Sequence, residues 1–374
     1  MKKHNIVLST DIGTDFDDAL ALYLCINSRE IDVKGIYVTN GNVDLRARIA
    51  RKILRLAKYN APVCIGEASP LTPDILPYHT CFEKMLLSKK EYEQTLEEAD
   101  IRIDGMSHLE KTIEETSPEI LSIAPLTNLA VAIKRNPKLE KKVRNVYIMG
   151  GRENEQEHNF RHDIFAAQLV FNSSLPIVVV PADICDKFRL SSSYLTKLKR
   201  DSLSKYLSHM ASVWNTAKEI EDLMVERING SNVPLLDTLN ELERVNPSFK
   251  LPQHVRTSLK VLSNYNMFSQ DYQKMFDFYR MFKASIKNLD YPFLRYIIGD
   301  FFERIERKEV SVSDAYVIYS LLHPERTERK KAEIKINDEG IMRVLPGDKH
   351  EIITDLDYGH FREYLIKNLQ LEKT

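Results

Sequence analysis

The feature that most limits how this chain can fold is a repeated alternation of short apolar runs with polar turns and helical stretches. Asn5 to Ser9, Val33 to Thr39, Pro62 to Gly66, Glu119 to Ile123, Val146 to Met149 and Pro176 to Pro181 each read as a short strand with little polar character on either face. Strands of that kind are buried on both sides, which predicts an α/β fold: a largely parallel central sheet flanked by helices. In such sheets ligands bind beyond the carboxyl ends of the strands. Asp11, Asn42, the turn Pro125-Leu126-Thr127-Asn128, Gly150-Gly151 and Asp183 all fall at that edge.

The first strand runs directly into an acidic turn. Asp11, Asp15, Asp17 and Asp18 lie within one short stretch, and a helix with apolar positions Ala19, Leu20, Leu22, Tyr23 and Leu24 comes directly after it. Solvated turn and capping roles account for one or two such carboxylates, but the whole cluster would repel itself unless a cation neutralised it. Oxygen ligands without His or Cys favour Ca²⁺ or Mg²⁺ over zinc, and a mixture of carboxylate and backbone carbonyl donors favours Ca²⁺.

With 374 residues, 43% of them hydrophobic, the chain can bury a large core, and one α/β domain spanning 1–374 is expected. Lys plus Arg (53) nearly balances Asp plus Glu (54), which argues against nucleic acid or an anionic membrane as partner and suits a small-molecule substrate. Cys25, Cys64, Cys81 and Cys185 are widely spaced, so neither a disulfide framework nor a zinc site is indicated. The apolar run after Met1-Lys2-Lys3-His4 is too short for a signal peptide, and no stretch reaches membrane-spanning length, so a cytoplasmic location is expected.

Between about 191 and 309 the sequence turns to charged helical segments broken at Gly230, Pro234, Pro247, Pro252 and Pro292, and reads as a helical insertion or lid. Phe268, Tyr272, Met275, Phe276, Tyr279 and Phe282 form one aromatic stripe at helical spacing, expected to pack on the main domain or a partner subunit, with a lid as the alternative. Beyond it, Glu333 to Asn337 and Ile341 to Leu345 flank Asp338-Glu339-Gly340 as a hairpin, and a last helix covers about Tyr358 to Leu369.

The run Asp11-Ile12-Gly13-Thr14-Asp15-Phe16-Asp17-Asp18-Ala19-Leu20 resembles the N-terminal aspartate signature of the inosine-uridine nucleoside hydrolase family. Other pieces occur in the family's order: Thr39-Asn40-Gly41-Asn42, Ala124-Pro125-Leu126-Thr127-Asn128, Tyr147-Ile148-Met149-Gly150-Gly151, and Glu157-His158-Asn159 with Asp163 and Ala166-Ala167. Each piece alone is weak, but the order together is specific. The resemblance implies hydrolysis of the N-ribosidic bond of a ribonucleoside, as in purine or pyrimidine salvage, with Ca²⁺ as cofactor. By position it makes Asp11 a metal ligand and general base, with Asp18, the Thr127 carbonyl and Asp314 as further ligands, and Asp17, Asn42, Glu157 and Asn159 as ribose-binding residues. Homo-oligomers, dimers or tetramers, are also a family expectation.

Several positions depart from the pattern. Many members carry a His before the late metal-binding Asp, whereas this chain has Ser313-Asp314, and a serine cannot be a strong general acid near neutral pH. His158 or His79 could serve the leaving group instead, and Asn154, in a short loop, is a candidate ribose contact. Ser9 stands where the signature often has Asp, with Asp15 as an additional carboxylate nearby. Ser313 also motivates a competing reading, a nucleoside- or ribose-binding regulatory protein without turnover. The strand ending in Asp11-Ile12-Gly13-Thr14 is faintly similar to haloacid dehalogenase-like phosphatases, but Gly13 sits where those need a second Asp.

Overall fold

In the computed structural model, residues 3–13, 15–75, 82–196, 198, 201–228, 244 and 309–369 are described. The strands are β1 (His4–Thr10), β2 (Ile31–Val38), β3 (Val63–Ile65), β4 (Glu119–Ser122), β5 (Val146–Met149), β6 (Ile177–Val180), β7 (Leu190–Ser191), β8 (Glu309–Val310), β9 (Thr327–Ile336) and β10 (Met342–Leu356). The helices are α1 (Phe16–Asn27), α2 (Val43–Ala57), α3 (Lys89–Glu93), α4 (Gly105–Thr116), α5 (Thr127–Arg135), α6 (His158–His162), α7 (Ile164–Asn172), α8 (Ala182–Cys185), α9 (Ser192–Thr196), α10 (Ser202–Ile228), α11 (Ala315–Leu322) and α12 (Tyr358–Asn368).

An eight-stranded sheet in the order β3-β2-β1-β4-β5-β6-β10-β9 runs through the protein. Its strands pair in parallel except for the last, where β9 and β10 form the antiparallel hairpin expected from the Asp338-Glu339-Gly340 turn. The parallel strands are buried along almost their whole length, as their uninterrupted apolar runs require. Val7, Ile120, Val146, Ile148 and Val179 pack with Leu129, Ile133, Phe160 and Phe171 into one core. Each such side chain contributes about 2 kcal/mol by leaving water.

Two helices, α1 and α2, flank the acidic turn that ends β1. α1 is apolar all round, with Ala19 to Leu22, Leu24 and Cys25 fully buried, and it packs against α11, which is apolar in the same way. α2 presents cations to the segment after β3. Arg48 donates to the Glu91 carbonyl at 3.1 Å, Lys52 pairs with Glu91 at 2.8 Å, and Arg51 pairs with Asp100 at 3.1 Å.

The chain divides into two compact units, residues 1–211 with 309–374, and residues 212–308. Leu190 and Ser191 pair with Val310 and Glu309, so the two ends of the inserted stretch are held together at its base. The aromatic stripe Phe268 to Phe282 and most of the expected insertion lie outside the described residues, as does His79. Among the described residues no helix is long and apolar enough to cross a membrane.

Candidate metal centre and substrate site

The acidic turn leaves the carboxyl end of β1 and enters α1, putting Asp17 and Asp18 in the helix's first turn, where a helix dipole favours negative charge. Asp314 occupies the N-cap of α11. Because α1 and α11 pack side by side, one carboxylate oxygen from each of Asp17, Asp18 and Asp314 lies within 4.8 Å of the others. All three residues are buried, as is Asp11. Gly13 makes the turn possible. Its φ of +122° suits only glycine, and a Cβ there would stand 2.8 Å from the Ile49 side chain.

Burial and mutual repulsion dominate the electrostatics. Burial pushes the Asp17 carboxyl up to about 7, with Asp15 and Asp11 adding to the rise. Asp18 and Asp314 are raised well above the usual carboxylate range, first by burial and then by their acidic neighbours. A bound cation would offset both causes by favouring the charged carboxylates. The donors are all oxygens, buried and convergent, so the residues present fit a hard cation.

Neighbouring groups hold these carboxylates in place. The Thr10 hydroxyl donates to Asp18, and the Ile12 amide donates back to the Thr10 oxygen at 3.1 Å. Ser311 hydrogen-bonds Asp17, and its hydroxyl shares a 2.7 Å contact with that of Ser313. Ser313 is thus part of the support behind Asp17, a role different from that of a proton donor to a leaving base. Asn40 Nδ2 donates to the Asp11 carboxylate at 3.3 Å.

Thr127 opens α5, and its hydroxyl donates to Asp163 at 2.7 Å. Glu157 caps α6, accepting from the amides of Asn159 (2.9 Å), Phe160 (3.2 Å) and Gly151 (2.9 Å). Asn159 Nδ2 donates to the Met149 carbonyl at 3.1 Å. These bonds fix both side chains at the ends of β5 and α6. Burial, and then the charges of Asp314, Asp186, Asp17 and Glu157, push the Cys185 thiol well above its ordinary range.

Asn42 caps α2 through the Leu45 amide at 3.1 Å, and Asn40 is the asparagine that touches Asp11. Asn154 is exposed, and Asp183 is an exposed partner of Arg152 at 3.6 Å. His158 is exposed and its ring lies 4.1 Å from that of His162. Burial, followed by the neighbouring His158, drives the His162 imidazole down to about 4, so it is neutral at neutral pH. Its Nδ1 lies 2.8 Å from the His158 carbonyl, which can only accept, so Nδ1 carries the proton.

The sequence assigns no role to Asn40, Arg46, Glu83, Asp163, His162 or Ser311. One of them left a readable signal. Arg46 places a cation in the first turns of α2, against the helix dipole, which calls for a specific partner.

Comparison with known proteins identifies the family and the fold. The model of the inosine-uridine preferring nucleoside hydrolase family matches residues 6–363. A pyrimidine-specific ribonucleoside hydrolase, RihA of Escherichia coli O7:K1, is 31% identical over 198 residues, covering 50% of this chain and 62% of that protein. Uridine nucleosidase 1 of Arabidopsis thaliana is 28% identical over 236 residues, covering 57% of this chain and 67% of that protein. The same fold occurs in the purine-preferring ribonucleoside hydrolase from Gardnerella vaginalis, with a TM-score of 0.63 at 14% identity over 98% of both chains.

Proposed function

The chain belongs to the inosine-uridine preferring nucleoside hydrolase family, and from that membership we propose that it hydrolyses the N-ribosidic bond of a ribonucleoside to free base and ribose. The observation that carries this reading is the convergence of Asp17, Asp18 and Asp314 in one buried cluster beside Asp11. Breaking an N-ribosidic bond builds positive charge on the sugar, and a ring of fixed carboxylates stabilises that charge where it develops.

In this proposal Asp11, Asp18, Asp314 and the Thr127 carbonyl hold the metal, which we take to be Ca²⁺ because the donors are carboxylates with a backbone oxygen. When bound, the cation supplies a positive field that makes a water more acidic and favours a diol at its side. Asp11 takes the water's proton as general base. Asp17 accepts from the ribose hydroxyls, steadied from behind by Ser311. Glu157 retains acceptor capacity beyond the amides it caps, since a carboxylate has about four lone-pair sites, and it orients the far side of the sugar with Asn159. Asn42 is the remaining candidate ribose contact.

Ser313 is turned toward Ser311, so leaving-group assistance falls to another group or to a base that leaves readily. The named relatives are hydrolases, which leaves the binding-only reading without support. A cytoplasmic salvage enzyme that assembles as a homo-oligomer completes the proposal, in keeping with the free, buried thiols of Cys25, Cys64 and Cys185.

The test is release of free ribose from a panel of purine, pyrimidine and modified ribonucleosides, with and without a calcium chelator, beside Asp11→Ala. Ribose release that needs the cation and disappears in the variant is the expected result. Turnover that persists in Asp11→Ala removes Asp11 from the chemistry.

A further inference from the structure

Arg46 is the largest fully buried side chain of the described residues, and it lies directly behind the acidic turn. Its Nε donates to the Asn40 carbonyl at 2.6 Å, and one terminal nitrogen donates to the Asp11 carbonyl and, at 3.3 Å, to that of Ile12. Glu83, also buried, approaches that nitrogen at 3.4 Å. One guanidinium therefore ties the loop leaving β1 to the loop leaving β2, just beyond the point where Thr10 and Val38 end the pairing of those strands. Asn40 completes a triangle. It adopts the left-handed region, with φ 63°, and from there its side-chain amide reaches the Asp11 carboxylate.

A buried Arg–Glu pair is a weak stabiliser, because desolvating two charges offsets most of their attraction and well-packed apolar residues often do as well. Stability alone thus gives little reason for such a pair at this spot. Orientation gives a better one. A guanidinium is a flat fork of donors that fixes two carbonyls in one plane, which an ammonium cannot do. We propose that Arg46 and Asn40 are positioning residues for Asp11: Arg46, neutralised by Glu83, fixes the Asp11 backbone and the Asn40 carbonyl together, and Asn40 aims the Asp11 carboxylate. This inference rests on the reading of Asp11 as general base.

The experiment compares the full chain with Asn40→Gly, Arg46→Lys and the double variant Arg46→Met/Glu83→Gln. Asn40→Gly tolerates the left-handed backbone and removes the side-chain amide, and the double variant removes the pair without leaving one charge buried alone. Melting temperature, calcium affinity by titration calorimetry, and kcat and KM on the best ribonucleoside are measured for each. A misplaced base costs on the order of a hundredfold in rate, so kcat is expected to fall by about that much in Arg46→Lys and the double variant, and about tenfold in Asn40→Gly. KM is expected to stay within about threefold, because the ribose contacts are untouched, and calcium affinity to fall by clearly less than kcat, because Asp11 is one of several ligands and the others stay in place. Folded variants with kcat within twofold of the parent overturn the proposal. So does a fall in calcium affinity as large as the fall in kcat, which would mark a loop that has come apart. A parent that releases ribose from no nucleoside refutes the hydrolase reading itself, and so is distinguishable from either outcome.

Discussion

Asp163 gathers more hydrogen bonds than any other carboxylate near the site, and Asp163→Asn tests what that arrangement contributes. The carboxylate is fully buried. Its Oδ2 accepts from the Leu71 amide at 2.8 Å and the Thr127 hydroxyl at 2.7 Å, while Oδ1 accepts from the Thr72 amide (3.1 Å), the Thr72 hydroxyl (2.8 Å) and the Ala166 amide (3.1 Å). Asparagine has the same shape and caps helices well, so α7 should keep its start. One of its two positions is now a donor facing donors. The cheaper orientation puts the nitrogen at Oδ2, where the Thr127 hydroxyl can rotate to accept but the Leu71 N–H is stranded. A stranded buried amide costs about 1–3 kcal/mol, and the other bonds lose the strength that charge gave them. The loss should be about 3 kcal/mol in all. Urea denaturation followed by circular dichroism measures it. Hydrogen exchange at Leu71 and Thr72 should accelerate in step, because both amides lose their partner or its charge. A loss below about 1 kcal/mol, or unchanged exchange at both amides, would refute the reasoning by showing that the bonds are readily replaced.

Acidity offers a second test. Without a cation the folded carboxyl of Asp17 titrates near 7 against 3.8 unfolded, and Asp18 and Asp314 shift in the same direction. The native state then holds more protons than the unfolded state across that window, so the chelated protein should lose stability as pH rises from about 4 to 7. With calcium present the slope should flatten or reverse, since the charged forms are the ones that bind. Melting temperatures at about pH 5 and about pH 7.5, with chelator and with calcium, decide between these, and a chelated protein that is more stable at the higher pH contradicts the reasoning. At the ribose side, Ser311→Ala removes a hydrogen bond to Asp17, worth about tenfold for a charged partner. KM should rise by that factor with kcat within about twofold, and steady-state kinetics showing the loss in kcat instead would reassign Ser311.

How much of the fold and site could be read from the sequence depended on whether the information was local. The uninterrupted apolar runs announced parallel strands because burial on both faces leaves no room for alternation, and each of them became a strand of the sheet. The clustering of Asp11, Asp15, Asp17 and Asp18 was visible because they are near neighbours in the chain. Asp314 could be placed beside them only through resemblance, since nothing in the sequence says that α1 and α11 will lie together. Asn42 is the residue that the resemblance points to, through its place in the Thr39-Asn40-Gly41-Asn42 segment. Asn42 caps α2, while the left-handed conformation of Asn40 sends its amide to Asp11, a contact with no signal of its own in the sequence. Glu83 carries no local signal, because its role exists only once the stretch after β3 lies against α2.

The site and the fold are linked through charge more than through apolar packing. The helices that present the acidic cluster are held by ordinary hydrophobic burial. That packing brings Asp17, Asp18 and Asp314 into a confined, dry space, where the carboxylates either take up protons or share a cation. Arg46 favours the charged form of Asp18, but its pairing with Glu83 leaves the Asp18 carboxyl still raised, so it does not replace the cation. It can fix the direction in which Asp11 points. On the proposals above, fixing direction falls to residues of the chain and neutralising charge to a bound ion, so variants of Arg46 and removal of calcium should differ in their effects on kcat and on stability.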